Sequence, residues 1–253
     1  GVLASEIFGG FNAYCVKTTD QRLKCWGVNT NGQLGLGDTI NRGGAANTMG
    51  DLLPFVNVGT GRTASQVTMG RSSTCAILDN GVLKCWGSGL FGENFLGTNN
   101  YLGNSPSTVG DNIPVVNLGT GRTVVSISGN MGAVSGGVGN GGYCAVLDNG
   151  KLKCWGPSNG TQSTGYGDTL IRGPTTGSAG DNLPYVNVGT GRTVKSVFAP
   201  DHTCAILDTG QLKCWGDGTS GVLAQGDTLW RGNAPNTMGD SLPAINLGTN
   251  LSL

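Results

Sequence analysis

The residues of this 253-residue chain that could do chemistry are eight cysteines, one histidine and a few recurring Asp/Arg pairs. The cysteines fall in four stretches: Cys15 to Gly27, Cys75 to Gly87, Cys144 to Gly156 and Cys204 to Gly216. Each stretch holds two cysteines ten positions apart, with Trp-Gly after the second. In the second stretch short apolar runs flank Asp79-Asn80-Gly81, the pattern of a β-hairpin whose glycine takes positive φ. With the turn centred on Asn80, Cys75 lies opposite Cys85, close enough for a disulfide. The same register pairs Cys15 with Cys25, Cys144 with Cys154 and Cys204 with Cys214. Each bridge closes a short loop and contributes roughly 2–3 kcal/mol. Buried free thiols are the alternative. Zinc is less favoured, because its sites use close pairs such as C-x2-C with further ligands nearby, and His202 is the single histidine. Four regular disulfides imply an oxidising compartment, so the chain is expected to be extracellular or on a cell surface.

Nothing in this set points to catalysis. No cysteine is left over, and no pair of carboxylates sits in an apolar surround. His202, beside Asp201, reads as a strand-entry residue. No catalytic, cofactor-binding or metal-binding residue is therefore assigned, and no cofactor is expected. Asp38 with Arg42, Asp168 with Arg172 and Asp227 with Arg231 recur in the long loops, where the second repeat has Thr98 and Leu102. Recurrence around the repeat favours structural ion pairs over a ligand site. The same holds for Arg62, Arg122 and Arg192 of the Gly-Thr-Gly-Arg turns, and for Trp26, Trp86, Trp155 and Trp215 as packing residues between repeats. Trp230 lies outside the pattern and is the better candidate for an exposed contact. Asn159 and Asn250 head Asn-x-Thr and Asn-x-Ser sequons and are possible glycosylation sites.

The elements that must position these residues repeat about every 60 positions, the first cysteines being 60, 69 and 60 residues apart. In the unit leading into the fourth hairpin, four strands are expected: 183–188, 193–199, 202–207 and 211–215, followed by a polar loop. Four short strands with glycine turns describe a propeller blade. The expected fold is all-β: a β-propeller of four four-stranded repeats, each with a cross-strand disulfide, over residues 1–253 as a single repeat domain. Glycine, at 47 residues, falls at fixed places in the repeat and reads as turn chemistry. The first hairpin turn, Thr19-Asp20-Gln21, has no glycine and is expected to be strained or built differently. The third repeat carries about nine extra residues within 129–143, a contact loop or a tolerated insertion.

Zero formal net charge and 12% charged residues argue against a nucleic-acid or anionic-membrane surface. No apolar run reaches membrane-spanning length. The opening residues Gly1 to Phe8 have no signal-peptide pattern and read as the start of a mature or excised chain. Near the other end, Leu242-Pro243-Ala244-Ile245-Asn246-Leu247 matches the first strand of a unit but has no hairpin after it, while the first unit lacks that strand. Pro243 to Leu247 is thus expected to complete the first blade, either closing a ring within one molecule or adding a strand to the next molecule in a head-to-tail assembly.

The motif Cys75-Ala-Ile-Leu-Asp-Asn-Gly-Val-Leu-Lys-Cys85-Trp86-Gly87, with Asn31-Gly32-Gln33-Leu34-Gly35-Leu36-Gly37-Asp38-Thr39 in the first repeat, resembles the repeat of the regulator of chromosome condensation family, across essentially the whole chain. The resemblance implies a β-propeller. The family's founding member has seven blades, acts as a nuclear exchange factor for a small GTPase and binds chromatin. This chain departs in having four repeats, paired cysteines and no basic arm, and looks more like the cysteine-bearing extracellular relatives. The leading expectation is a non-enzymatic extracellular structural protein that self-associates, as a filament or surface layer. The alternatives are a secreted lectin-like or protein-binding module, using Trp230 or the 129–143 insert, and an exchange factor by family analogy alone.

Overall fold

A computed structural model describes residues 2–96, 100–129, 141–157, 164–173 and 177–248. It is all-β, with a few single-turn 3-10 segments in the long loops. Among the described residues twelve strands form four antiparallel three-stranded sheets. The first holds β1 (Ala4–Gly9), β2 (Ala13–Thr18) and β3 (Leu23–Gly27), and the second β4 (Ala64–Met69), β5 (Ser73–Leu78) and β6 (Leu83–Gly87). The third holds β7 (Val124–Gly129), β8 (Tyr143–Leu147) and β9 (Leu152–Trp155), and the fourth β10 (Val194–Phe198), β11 (Thr203–Leu207) and β12 (Leu212–Trp215). Each sheet is one blade.

The cysteine register is as the spacing predicts. Cys15, Cys75, Cys144 and Cys204 face Cys25, Cys85, Cys154 and Cys214 across the central hairpins, with Cα atoms 4.0–4.1 Å apart. All four pairs are disulfides, and no cysteine is free. In the second hairpin Gly81 takes the left-handed turn position at φ +77°, while in the first Gln21 is held there at +64°. A side chain in that region is strained, and Asp20 compensates by accepting hydrogen bonds from Thr18 and Arg22.

The expected fourth strand differs from expectation in form and in place. Segments 53–58, 113–118, 183–188 and 242–247 are extended but not ladder strands. Each makes one backbone bond to the strand beside it, from Val56 to Leu23, Val116 to Leu83, Val186 to Leu152 and Ile245 to Leu212, at 2.7–2.8 Å. Proline leads each segment and removes a donor. The next carbonyl then leaves the sheet: Asn57, Asn117 and Asn187 accept from Gly110, Gly180 and Gly239 of the following blade at 3.0–3.1 Å. Each segment therefore lies on the hairpin that precedes it in sequence. The expectation that 242–247 completes the first blade is corrected: it lies on β12, and the first blade already has 53–58 on β3.

Between consecutive blades lie three apolar clusters, and these are the core. Every cluster joins a disulfide-bearing face of one blade to a tryptophan-bearing face of the next.

Blade faces as a candidate binding site

The apolar junction between blades is built the same way three times. Alternation along a strand sends successive side chains to opposite faces. Cys15, Leu23, Cys25 and Val58 of the first blade therefore meet Val67, Ala76, Leu78 and Trp86 of the second. The second blade meets the third through Cys75, Ile77, Leu118, Ile127 and Trp155, and the third meets the fourth through Cys144, Val146, Val188, Val197 and Trp215.

Polar contacts fix the register of each junction. Trp86 Nε1–H donates to the Gln33 carbonyl (3.1 Å) and Trp155 Nε1–H to the Glu93 carbonyl (3.0 Å), each on the preceding blade's long loop. Thr60, Thr120 and Thr190 donate backbone N–H groups to Asp111, Asp181 and Asp240 of the following blade at 2.9–3.0 Å. Their hydroxyls donate as well, and these bonds hold the three carboxyls below the usual carboxylate range. Under each turn a lysine Nζ donates to a glycine carbonyl: Lys24 to Gly50, Lys84 to Gly110, Lys153 to Gly180 and Lys213 to Gly239, at 2.7–2.8 Å. Burial lowers the affinity of Lys84, Lys153 and Lys213 for their protons.

Among the described residues the first and fourth blades do not repeat this junction with each other, which leaves an open arc and corrects the expectation of a ring sealed within one molecule. Ile7 is 69% exposed, whereas Val67 at the same place in the second blade is 3% exposed. Trp26 is half-buried, while its three equivalents are fully buried. A 260 Å³ pocket opens beside Trp26, lined by Leu3, Val16, Met49 and Leu53 among others. On the fourth blade Ile206 is 42% exposed against 3% for Ile77, and Leu247 is 63% exposed against 5% for Val58. Among the described residues, Asp51 and the Gly50 N–H lack the partners that Asp111 and the Gly110 N–H have.

The other expected residues resolve as structure. Asp38, Asp168 and Asp227 pair with Arg42, Arg172 and Arg231 at 2.6–2.8 Å within their own loops. Arg62, Arg122 and Arg192 reach Asp79, Asp148 and Asp208 at 3.2–3.4 Å within their own blades. Trp230 is half-buried rather than exposed. His202 stands just before β11, beside Gly216. Asn159, Asn250 and residues 130–140 of the insert lie outside the described residues. Among the described residues no three His, Cys, Asp or Glu side chains are grouped to hold a metal, and no helix is long and apolar enough to cross a membrane.

Sequence reasoning missed Glu93. It is buried, its carboxylate accepts the Phe91 N–H (2.8 Å), and burial pushes its pKa up to about 7. The signal was its replacement of Gln33 in the loop motif. Sequence reasoning also missed a 520 Å³ cleft between the third and fourth long loops, lined by Tyr166, Asp168, Arg172, Tyr185, Asn187 and Asp240 among others. Its charged groups are occupied, Arg172 by Asp168 and Asp240 by Thr190.

Two models described as "Regulator of chromosome condensation (RCC1) repeat" match the chain, one at residues 5–33, 64–93 and 200–222 and the other at 22–77. The ultraviolet-B receptor UVR8 of Arabidopsis thaliana is 26% identical over 91% of this chain and 57% of its own length. The E3 ubiquitin-protein ligase HERC2 of Homo sapiens is 27% identical over 88% of this chain but only 4% of its own. Among solved structures, yeast RCC1 (Prp20) with Kap60 bound aligns with a TM-score of 0.63 at 16% identity, covering 98% of this chain and 50% of that one. Human WBSCR16 aligns with a TM-score of 0.52 at 15% identity, covering 97% of this chain and 68% of that one. The chain thus spans little more than half the length of UVR8 and half that of yeast RCC1.

Proposed function

We propose that this chain of RCC1-type repeats, an RCC1-like β-propeller in fold, is a non-enzymatic extracellular assembly module that docks further propeller blades, of this polypeptide or of another, on its two end faces. One observation carries the reading: a face that is apolar and buried at every internal junction is left open at both ends, with Ile7 69% exposed where Val67 is 3%. Apolar patches of this kind on a folded protein mark interaction sites. Four disulfides support an oxidising compartment. Protein binding also agrees with the relatives, since yeast RCC1 (Prp20) is seen with Kap60 bound.

Exchange-factor activity draws support from fold alone, at 15–16% identity. The lectin-like alternative has the 520 Å³ cleft, but its charged groups are already occupied, Arg172 by Asp168 and Asp240 by Thr190.

The test is carbene footprinting of material from its natural source against the isolated chain diluted to a monomer. Ile7, Trp26, Ile206 and Leu247 are expected to be protected in the natural material. Equal labelling in both would end the assembly reading. Free thiols in the natural material would end the extracellular one.

A further inference from the structure

We propose that the cleft across the third and fourth long loops binds a neutral saccharide unit, whose carbon face lies on Tyr185 and whose hydroxyls meet the uncharged polar side chains around it. This site goes beyond blade docking and does not depend on it. It lies at a junction complete within the chain, and none of its lining residues belongs to either end face.

At 520 Å³ the cleft falls in the range of small-ligand sites. Two tyrosines set its chemistry. Successive repeats place Leu36 and Phe55, Leu96 and Val115, Tyr166 and Tyr185, and Gln225 and Ala244 at these two positions, so the third alone has tyrosine at both. Tyr166 is a fixed wall. Its hydroxyl donates to the Cys154 carbonyl (3.1 Å) and accepts the Cys154 N–H (3.0 Å), and the Arg172 guanidinium lies 4.0 Å from its ring centre. Tyr185 is the open wall. Its counterpart Phe55 is half-buried, with the Arg22 guanidinium 3.6 Å from its ring centre. Lys151 stands where Arg22 does, but its Nζ donates to the Arg192 carbonyl instead (3.2 Å). Tyr185 is left 44% exposed. Pro184, Pro235 and Met238 add apolar lining.

The charges of the cleft balance where they stand. Arg172 is held by Asp168 at 2.8 Å, and Asp240 accepts from Thr190 beside the charge of Lys213. An ionic ligand would have to displace these partners; a neutral one leaves them in place. The groups left for hydrogen bonding are uncharged. The side chains of Asn236 and Ser241 and the Nδ2 group of Asn187 line the cleft and make no hydrogen bond among the described residues. An amide offers a donor and an acceptor side by side, which suits neighbouring sugar hydroxyls. An exposed aromatic face beside such groups matches a pyranose, with its apolar C–H face and polar edge.

The experiment is saturation-transfer difference NMR on the full chain, non-reduced. Cellobiose, lactose, maltose and diacetylchitobiose are the neutral probes, with sialyllactose and an oligoproline as contrasts. At least one neutral disaccharide is expected to show transfer to its ring C–H protons. Tyr185→Ala should weaken that binding by about tenfold. Tyr185→Phe keeps the ring and should stay within about threefold of the parent. Phe55→Ala, at the same place in the first blade, should leave binding unchanged. The last two variants separate a lost contact from a lost fold. Silence from every neutral probe overturns the proposal, and so does saccharide binding that Tyr185→Ala leaves intact. Stronger transfer to sialyllactose would make the site ionic, and transfer to oligoproline alone would make it a peptide groove; either result overturns the proposal. None of these outcomes bears on the end faces, so blade docking stands or falls separately.

Discussion

The second long loop and its three counterparts reach the same backbone by different side chains. In the first, third and fourth repeats an Asp–Arg pair closes the loop at 2.6–2.8 Å. In the second the arginine position is Leu102, buried, and the glycine of Gly35 and Gly165 is replaced by Phe95, also buried and 5.1 Å from the Trp155 ring. Yet the bridge beneath is constant: Gly27 with Arg42, Gly87 with Leu102, Gly156 with Arg172 and Gly216 with Arg231. The loop is therefore anchored by backbone, and an ion pair or an apolar plug can finish it. Side chains that interchange in this way act as structure and not as a ligand site.

The comparison can be broken from the plug side first. Phe95→Ala removes a fully buried ring beside Trp155 and is expected to cost about 3–5 kcal/mol in chemical denaturation. A loss below about 1 kcal/mol would mean the plug does not replace the ion pair.

Glu93→Gln should act in the opposite direction, and only in part of the pH range. Burial raises the folded carboxyl to about 7 from its ordinary 4.5. Between those values the folded chain keeps a proton that the unfolded chain has released, so stability falls as pH rises through that window, by up to about 3 kcal/mol. The glutamine variant should lack this slope and exceed the parent most clearly at pH 8, as denaturation midpoints at pH 4 and pH 8 would reveal. A parent whose stability is flat across the window would place Glu93 in a wetter site than its burial indicates.

The smallest effect converts an ion-pair loop into the second kind. Arg172→Leu removes the guanidinium that pairs with half-exposed Asp168 and lies 4.0 Å from the Tyr166 ring centre, for an expected loss of about 1 kcal/mol. Adding Asp168→Thr, as in the second repeat, should return stability to within about 0.5 kcal/mol of the parent. A double variant worse than the single one would show that the pair does more than close the loop.

Much of this could be read from the sequence, because some features are local. A two-cysteine hairpin with an Asp-Asn-Gly turn fixes which residues face each other, and the disulfides follow. The Asp–Arg pairs are four residues apart and needed no tertiary knowledge. What failed was ownership of the 183–188 type of segment. In a tandem repeat every such segment lies between two hairpins, and periodicity is silent about which one it joins. The deciding bond, from Val186 to Leu152, lies between residues 34 positions apart, and nothing in either residue's type announces it. The open arc followed from the same gap, since the faces meeting at a junction come from different repeats. Glu93 was hidden for another reason: its burial depends on the third blade's Trp155 lying across its carbonyl.

The disulfides have a mechanical consequence. Each joins residues ten apart within one hairpin, and none links one blade to another. Under tension applied at the ends, blades can part from one another and shed their long loops. Each hairpin nevertheless keeps ten residues, roughly 35 Å of contour, out of reach of the pull until its sulfurs are reduced. Chemical reduction sets how far the chain can be drawn out, while the apolar faces set how hard it must be pulled.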